Sequence, residues 1–142
     1  MQIDLAKESD LDGILALANQ IYRVDKPHQN AKRLIEGMLK DDYCDVVVAR
    51  DGRRIIGSAT IFYLPIPAHG KPCAFLEGTV VDSAYRGKGV GSKIMEKLIQ
   101  LAWAKDCYKF IANSGLDRDD IHKFYAKHGF ERWGYEYRLN LQ

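Results

Sequence analysis

Tyr85-Arg86-Gly87-Lys88-Gly89-Val90-Gly91 is the stretch of this chain whose residue types and spacing point most directly to chemistry. Glycine lets a backbone take conformations that turn successive N–H groups toward one point. An apolar pattern of helical period begins at Val90. The N-terminus of such a helix adds unpaired N–H groups and the positive end of its dipole. Arg86 and Lys88 place cationic charge close by. A diphosphate is the natural guest of this cradle; the alternative reading is a glycine-rich turn that binds nothing.

Spacing narrows the guest. A dinucleotide fingerprint G-x-G-x-x-G beginning at Gly87 needs glycine at 92, where Ser92 stands. Beginning at Gly89 it needs glycine at 94, which is Ile94. A triphosphate P-loop needs Ser or Thr after Gly-Lys, but Gly89 follows Lys88, and the earlier glycine it requires is Asp82. What remains is R-x-x-G-x-G, from Arg86 through Gly91.

Other reactive side chains give weaker signals. Cys44, Cys73 and Cys107 form neither a C-x-x-C nor a paired framework, and each lies in or beside an apolar stretch. They read as reduced, buried thiols, which implies a reducing compartment. His122 and His128 are six residues apart, off one helical face, and His28 and His69 fall in loop-like stretches. No metal site is expected, since helical zinc motifs use i and i+4.

These groups need a scaffold. A chain of 142 residues with 46% apolar and 28% charged residues fits one ordinary domain, expected to span residues 1–142. A net charge of +2 is too small to argue for nucleic acid or a membrane surface. The N-terminus lacks a basic and apolar signal segment, and the longest apolar stretch is broken by Gly57, Pro65 and Pro67. A cytoplasmic protein is expected.

Strands are expected over residues 3–6, 44–49, 55–64, 74–81, 108–112 and 130–141, the last from alternation at Tyr135, Tyr137 and Leu139. Helices are expected after Ser9, with Asp12 completing a capping box and apolar positions from Leu11 to Ile21; over residues 31–39, with Leu34, Ile35, Met38 and Leu39 on one face; from Val90; and from Asp117 as cap to Gly129. Residues 64–72, rich in proline, read as a loop. The order β-α-α-β-β-β-α-β-α-β implies an α+β mixed sheet with helices packed on it.

R-x-x-G-x-G between a strand and a helix, followed downstream by Phe124-Tyr125-Ala126-Lys127-His128-Gly129-Phe130, resembles the GNAT superfamily of N-acetyltransferases. Glu77-Gly78-Thr79-Val80-Val81-Asp82 ahead of the loop strengthens the likeness, which covers nearly the whole chain. Residues 75–91 and Cys107-Tyr108-Lys109 are similar to the glucosamine-phosphate N-acetyltransferase branch. Gly78 departs from it, since that branch usually has a second acidic residue there, and Asp120-Ile121-His122-Lys123 departs as well.

The resemblance implies a splayed central sheet and transfer of an acetyl group from acetyl-coenzyme A, a co-substrate, to an amine of a small molecule or peptide. It implies coenzyme contacts from Thr79, Val80, Val81, Arg86, Gly87, Lys88, Gly89, Val90, Gly91, Ser92, Asn113 and Tyr125. An ammonium must lose a proton before attack, and Glu77, partly buried beside Leu76, is the candidate base, with Asp82 second. A backbone N–H near Val80 is the candidate oxyanion donor. Tyr125 stands where the family places the acid that protonates the leaving thiolate, or it is core packing. The acceptor is expected between residues 22–30, the loop at 64–72 and the chain end, where Tyr22, Arg23, Lys26 and His28 suit an anionic acceptor. A homodimer packed through Trp133 to Tyr137 is compatible with this reading. A silent coenzyme-binding sensor is the alternative.

Overall fold

Period-two apolar runs do build the sheet. In the computed structural model, which describes residues 1–141, the first of two units, Met1–Ile111, contains β1 (Gln2–Leu5), α1 (Leu11–Ala16), α2 (Ala31–Met38), β2 (Cys44–Asp51), β3 (Arg54–Ile66), β4 (Lys71–Val81), α3 (Val90–Ala104) and β5 (Lys109–Ile111). The strands lie in the order β1-β2-β3-β4-β5. The first three pairings are antiparallel and β4–β5 is parallel. This is the mixed α+β sheet flanked by helices that the element order implied.

Successive side chains of a strand take opposite faces. Val46, Val48, Ile55 and Val80 form one core with Ile14 and Leu17 of the α1 region. Ile35, Met38 and Leu39 pack on it from the α2 region. Ala49 therefore faces the other way, and Gly57, its partner across the ladder, meets α3: a Cβ there would stand 2.9 Å from Ile94 Cδ1. Ile94, Met95 and Leu98 of α3 are buried on that side, each contributing about 1.5–3 kcal/mol.

Several local expectations change. The helix after Ser9 ends at Ala16 and gives way to a tighter turn at Ala18–Gln20. Asp10, not a Ser9–Asp12 pair, satisfies the start: its carboxylate accepts the Lys7 N–H at 2.7 Å and is held by Arg50, which also reaches Asp4 at 2.9 Å. Leu34 is exposed, because only the Ile35–Met38–Leu39 edge of α2 reaches the core. The stretch 64–72 is mostly strand. Pro65 and Pro72 face each other at the end of the β3–β4 hairpin, where a missing N–H costs little, and only Pro67–His69 with left-handed Gly70 turns the chain.

The second unit, Ala112–Gln142, holds α4 (Asp119–Lys127), with Gly129 at φ +87 just past its end. Arg118 occupies the N-cap position rather than Asp117, without a side-chain cap bond. The closing strand expected over residues 130–141 is not formed: the segment keeps its alternation but carries no assigned ladder. Alternation supplies a strand's side-chain pattern; a strand exists only through hydrogen bonds to a neighbour. Among the described residues, no helix is long and apolar enough to cross a membrane.

Candidate active site

The route into the glycine loop is fixed by Asp82. Its buried carboxylate accepts the Ala84 N–H at 3.0 Å and the Arg54 guanidinium at 2.7 Å. Those bonds, the Ala84 one foremost, hold its pKa below the ordinary carboxylate value. Asp82 thus caps the turn Ser83–Tyr85 as an anion already engaged on both oxygens, which argues against it as a base. From the other side Gln20 accepts the Ser83 N–H at 2.8 Å.

Gly87 and Gly89 then take φ of +72 and +80, conformations that only glycine adopts cheaply. The first helical bond of α3 runs from Lys93 N–H to the Gly89 carbonyl at 3.1 Å. The N–H groups of Val90, Gly91 and Ser92 therefore have no partner within the helix. Val90 buries its side chain, so only its backbone is on offer, while residues 86–89 are exposed. Arg86 Nε donates to the Val81 carbonyl at 3.0 Å, and Lys88 Nζ to the Ala84 carbonyl at 3.0 Å. Both cations fold back on the loop, shaping it while adding positive charge.

The strand ahead of the loop has an open edge. The parallel ladder with β5 ends at Phe75–Ile111, so beyond it, among the described residues, β4 keeps only β3 as a strand partner. Asp82 N–H donates to the Ile56 carbonyl of β3 at 2.8 Å. Alternation puts the Val80 N–H on that same side and the Val81 N–H on the open edge. Of the donors near Val80, Val81 is the one that faces out. The Val80 side chain belongs to the core, and Thr79 is exposed. The register slips by one between Ser58 and Thr60, where Gly78, at φ +62, and Thr79 of β4 stand against Ala59 alone. That conformation explains a glycine where the resembled branch carries an acid.

Glu77 sits at this bulge, exposed rather than partly buried, with Oε1 accepting the Gly78 N–H at 3.1 Å.

In the second unit, the Tyr125 hydroxyl donates to the Asn113 carbonyl at 3.2 Å, and its ring lies 5.5 Å from that of Phe130. His122 Nε2 and His128 Nδ1 are each 2.8 Å from backbone carbonyls, of Gly115 and Phe124. Among the acceptor-side candidates, Arg23 lies 5.0 Å from the Tyr22 ring, His28 Nδ1 accepts the Asn30 N–H at 3.1 Å, and His69 stacks on Tyr108 at 4.0 Å. Cys44 and Cys73 are buried and Cys107 is half-buried; desolvation raises all three thiols, Cys44 to about 11, so none is poised as a thiolate. Among the described residues no group of three His, Cys, Asp or Glu side chains could hold a metal.

Sequence reasoning did not find Arg54, Gln20 or Asp51, the partner of Tyr85. Their bonds to the loop region span 28, 34 and 63 residues of chain.

A loop with two left-handed glycines thus follows β4 directly and opens α3. The profile of the acetyltransferase (GNAT) family matches residues 11–130, and the chain belongs to that family. It is 30% identical over 139 residues to the glucosamine 6-phosphate N-acetyltransferase of Trypanosoma brucei brucei, covering 97% of this chain and 90% of that one. A crystal structure of a Trypanosoma brucei acetyltransferase superposes with a TM-score of 0.84 at 28% identity, covering 99% of both chains. AAC(6')-Iy, solved in complex with the bisubstrate analogue CoA-S-monomethyl-acetylneamine, shares the fold with a TM-score of 0.83 at 21% identity, over 98% of this chain and 97% of that one.

Proposed function

We propose that this chain is a single-domain, acetyl-coenzyme A-dependent N-acetyltransferase acting on a primary amine of a small molecule or peptide, by direct attack in a ternary complex. The observation that carries the reading is the loop itself: Gly87 and Gly89 at positive φ, leading into the unpaired N–H groups of α3 next to the open edge of β4. The coenzyme's diphosphate would sit on residues 87–92, with the pantetheine arm along Thr79, Val80 and Val81.

In this reading the acceptor ammonium gives its proton to Glu77, directly or through water. The free amine attacks the thioester carbonyl, and the Val81 N–H stabilises the developing oxyanion. Collapse expels the thiolate, which takes a proton from Tyr125; the new amide nitrogen gives up its surplus proton through water, which restores the Tyr125 phenol, and Asn113 lines the same coenzyme path. An amino-sugar phosphate is the first acceptor to test, in line with the name of the trypanosome relative and with Tyr22, Arg23, Lys26 and His28. A reducing, cytoplasmic setting is supported by three free thiols. A homodimer is also proposed, since Trp133, Tyr135 and Tyr137 are exposed.

The test is release of free coenzyme A from acetyl-coenzyme A across amino-sugar phosphates, polyamines, amino acids and peptides. One acceptor class is expected to stand out. Tyr125→Phe should lower turnover by roughly 10²-fold or more while acetyl-coenzyme A affinity stays close to wild type. Unchanged turnover removes the acid role; no transfer to any amine removes the enzymatic reading.

A further inference from the structure

We infer that the β2–β3 hairpin is part of the coenzyme-binding apparatus: Asp51 and Arg54, acting through Tyr85 and Asp82, are positioning residues that hold the glycine loop in its anion-binding shape. The inference rests on the coenzyme reading above and names which distant residues make that site work.

The physical problem is loop order. Residues 86–89 are exposed and two of them are glycines, the residue type with the most conformational freedom to lose. A loop of this kind reaches a binding shape either when the ligand arrives, which weakens binding, or beforehand, through contacts elsewhere. The contacts are present and form a closed circuit. Tyr85, the last residue before the loop, donates its hydroxyl to Asp51 Oδ2 at 2.9 Å. Arg54 lies 5.7 Å from the Tyr85 ring centroid and donates to Asp82 Oδ2 at 2.7 Å. The other oxygen of Asp82 holds the Ala84 N–H at 3.0 Å. Lys88, inside the loop, lies 5.4 Å from the same Tyr85 ring centroid.

The geometry separates this role from direct binding. Arg54 donates to the Asp82 carboxylate and Asp51 is itself an anion, so the bonds they make order the loop rather than hold a diphosphate. What they share is Tyr85 and the capped turn. The strain of leaving that turn unheld falls on the coenzyme alone, since the acceptor segment at residues 22–30 makes none of these contacts.

The experiment is calorimetric titration of acetyl-coenzyme A into the full chain and its variants, with KM for both substrates and melting temperature measured in parallel. Tyr85→Phe, Arg54→Ala and Asp51→Ala should each weaken acetyl-coenzyme A binding about 3- to 10-fold and raise its KM alike. Asp51→Asn, which keeps the acceptor oxygen, should bind close to wild type. The acceptor KM and kcat at saturation should stay within about twofold. The effects of Tyr85→Phe and Asp51→Ala should not add, because they remove one bond. The inference is overturned if folded variants bind acetyl-coenzyme A as wild type does, or if the acceptor KM rises in step. If wild type itself binds no acetyl-coenzyme A, the coenzyme reading fails first and this one goes with it. Asp51 and Tyr85 side chains lie outside the core, so at least those variants are expected to fold.

Discussion

Asp82 is a buried carboxylate that caps the turn into the glycine loop. It lies five residues past Glu77, directly after β4, and both its oxygens are committed, to Ala84 and Arg54. Its depressed pKa makes a pH prediction. A group whose folded pKa lies below its unfolded value contributes stability above the unfolded value, 3.8 here, and loses it as pH falls through the lower folded value. Thermal melts of wild type should therefore weaken on acidification across that window. Asp82→Asn should be less stable near neutral pH, because Arg54 loses its anion, and its melting temperature should fall less steeply below about pH 4. Parallel curves for the two proteins would show that Asp82 contributes nothing to acid sensitivity.

At the scale of elements, glycines do two different jobs that sequence cannot tell apart. Gly89 is needed for its φ of +80, and a Cβ there meets nothing within 4 Å. Gly57 is needed for space, since a Cβ would stand 2.9 Å from Ile94 Cδ1 and 3.2 Å from the Val80 carbonyl. Gly57→Ala should therefore cost about 1–3 kcal/mol of stability by forcing α3 off the sheet, read as a lower denaturant midpoint. Gly89→Ala should cost about 1–2 kcal/mol or less of stability and lose acetyl-coenzyme A binding instead. Equal effects on both readouts would merge the two roles. The strands were legible because Val46, Val48 and their neighbours repeat every second residue, and the loop because three glycines and two cations share six positions. The segment at residues 130–141 has as clean an alternation, but pairing is decided by a neighbour, and no local pattern carries that information. The Asp51–Tyr85 bond was invisible for the same reason.

The whole molecule carries a net charge of only +2, which on its own steers little toward a polyanion such as a coenzyme. The charge is not evenly spread, however. Arg86 and Lys88 lie in the loop, Arg53 and Arg54 in the hairpin tied to it, and Lys93 in the first turns of α3. Asp51 and Asp82 offset part of this, but each is already bonded to Tyr85 or Arg54. The field that a diphosphate meets is thus local and exposed to solvent, which makes it sensitive to screening. At ~0.01 M ionic strength the screening length is roughly 30 Å, enough for all five cations to act together; at ~1 M it is roughly 3 Å, and only direct contacts survive. Acetyl-coenzyme A affinity should therefore weaken severalfold between those limits, mostly through a slower association rate. Arg53→Gln, which breaks none of the bonds described above, should lower the low-salt affinity and leave the high-salt affinity unchanged. An affinity indifferent to salt would mean that the backbone N–H groups of the loop and of α3 bind the diphosphate without help from these side chains.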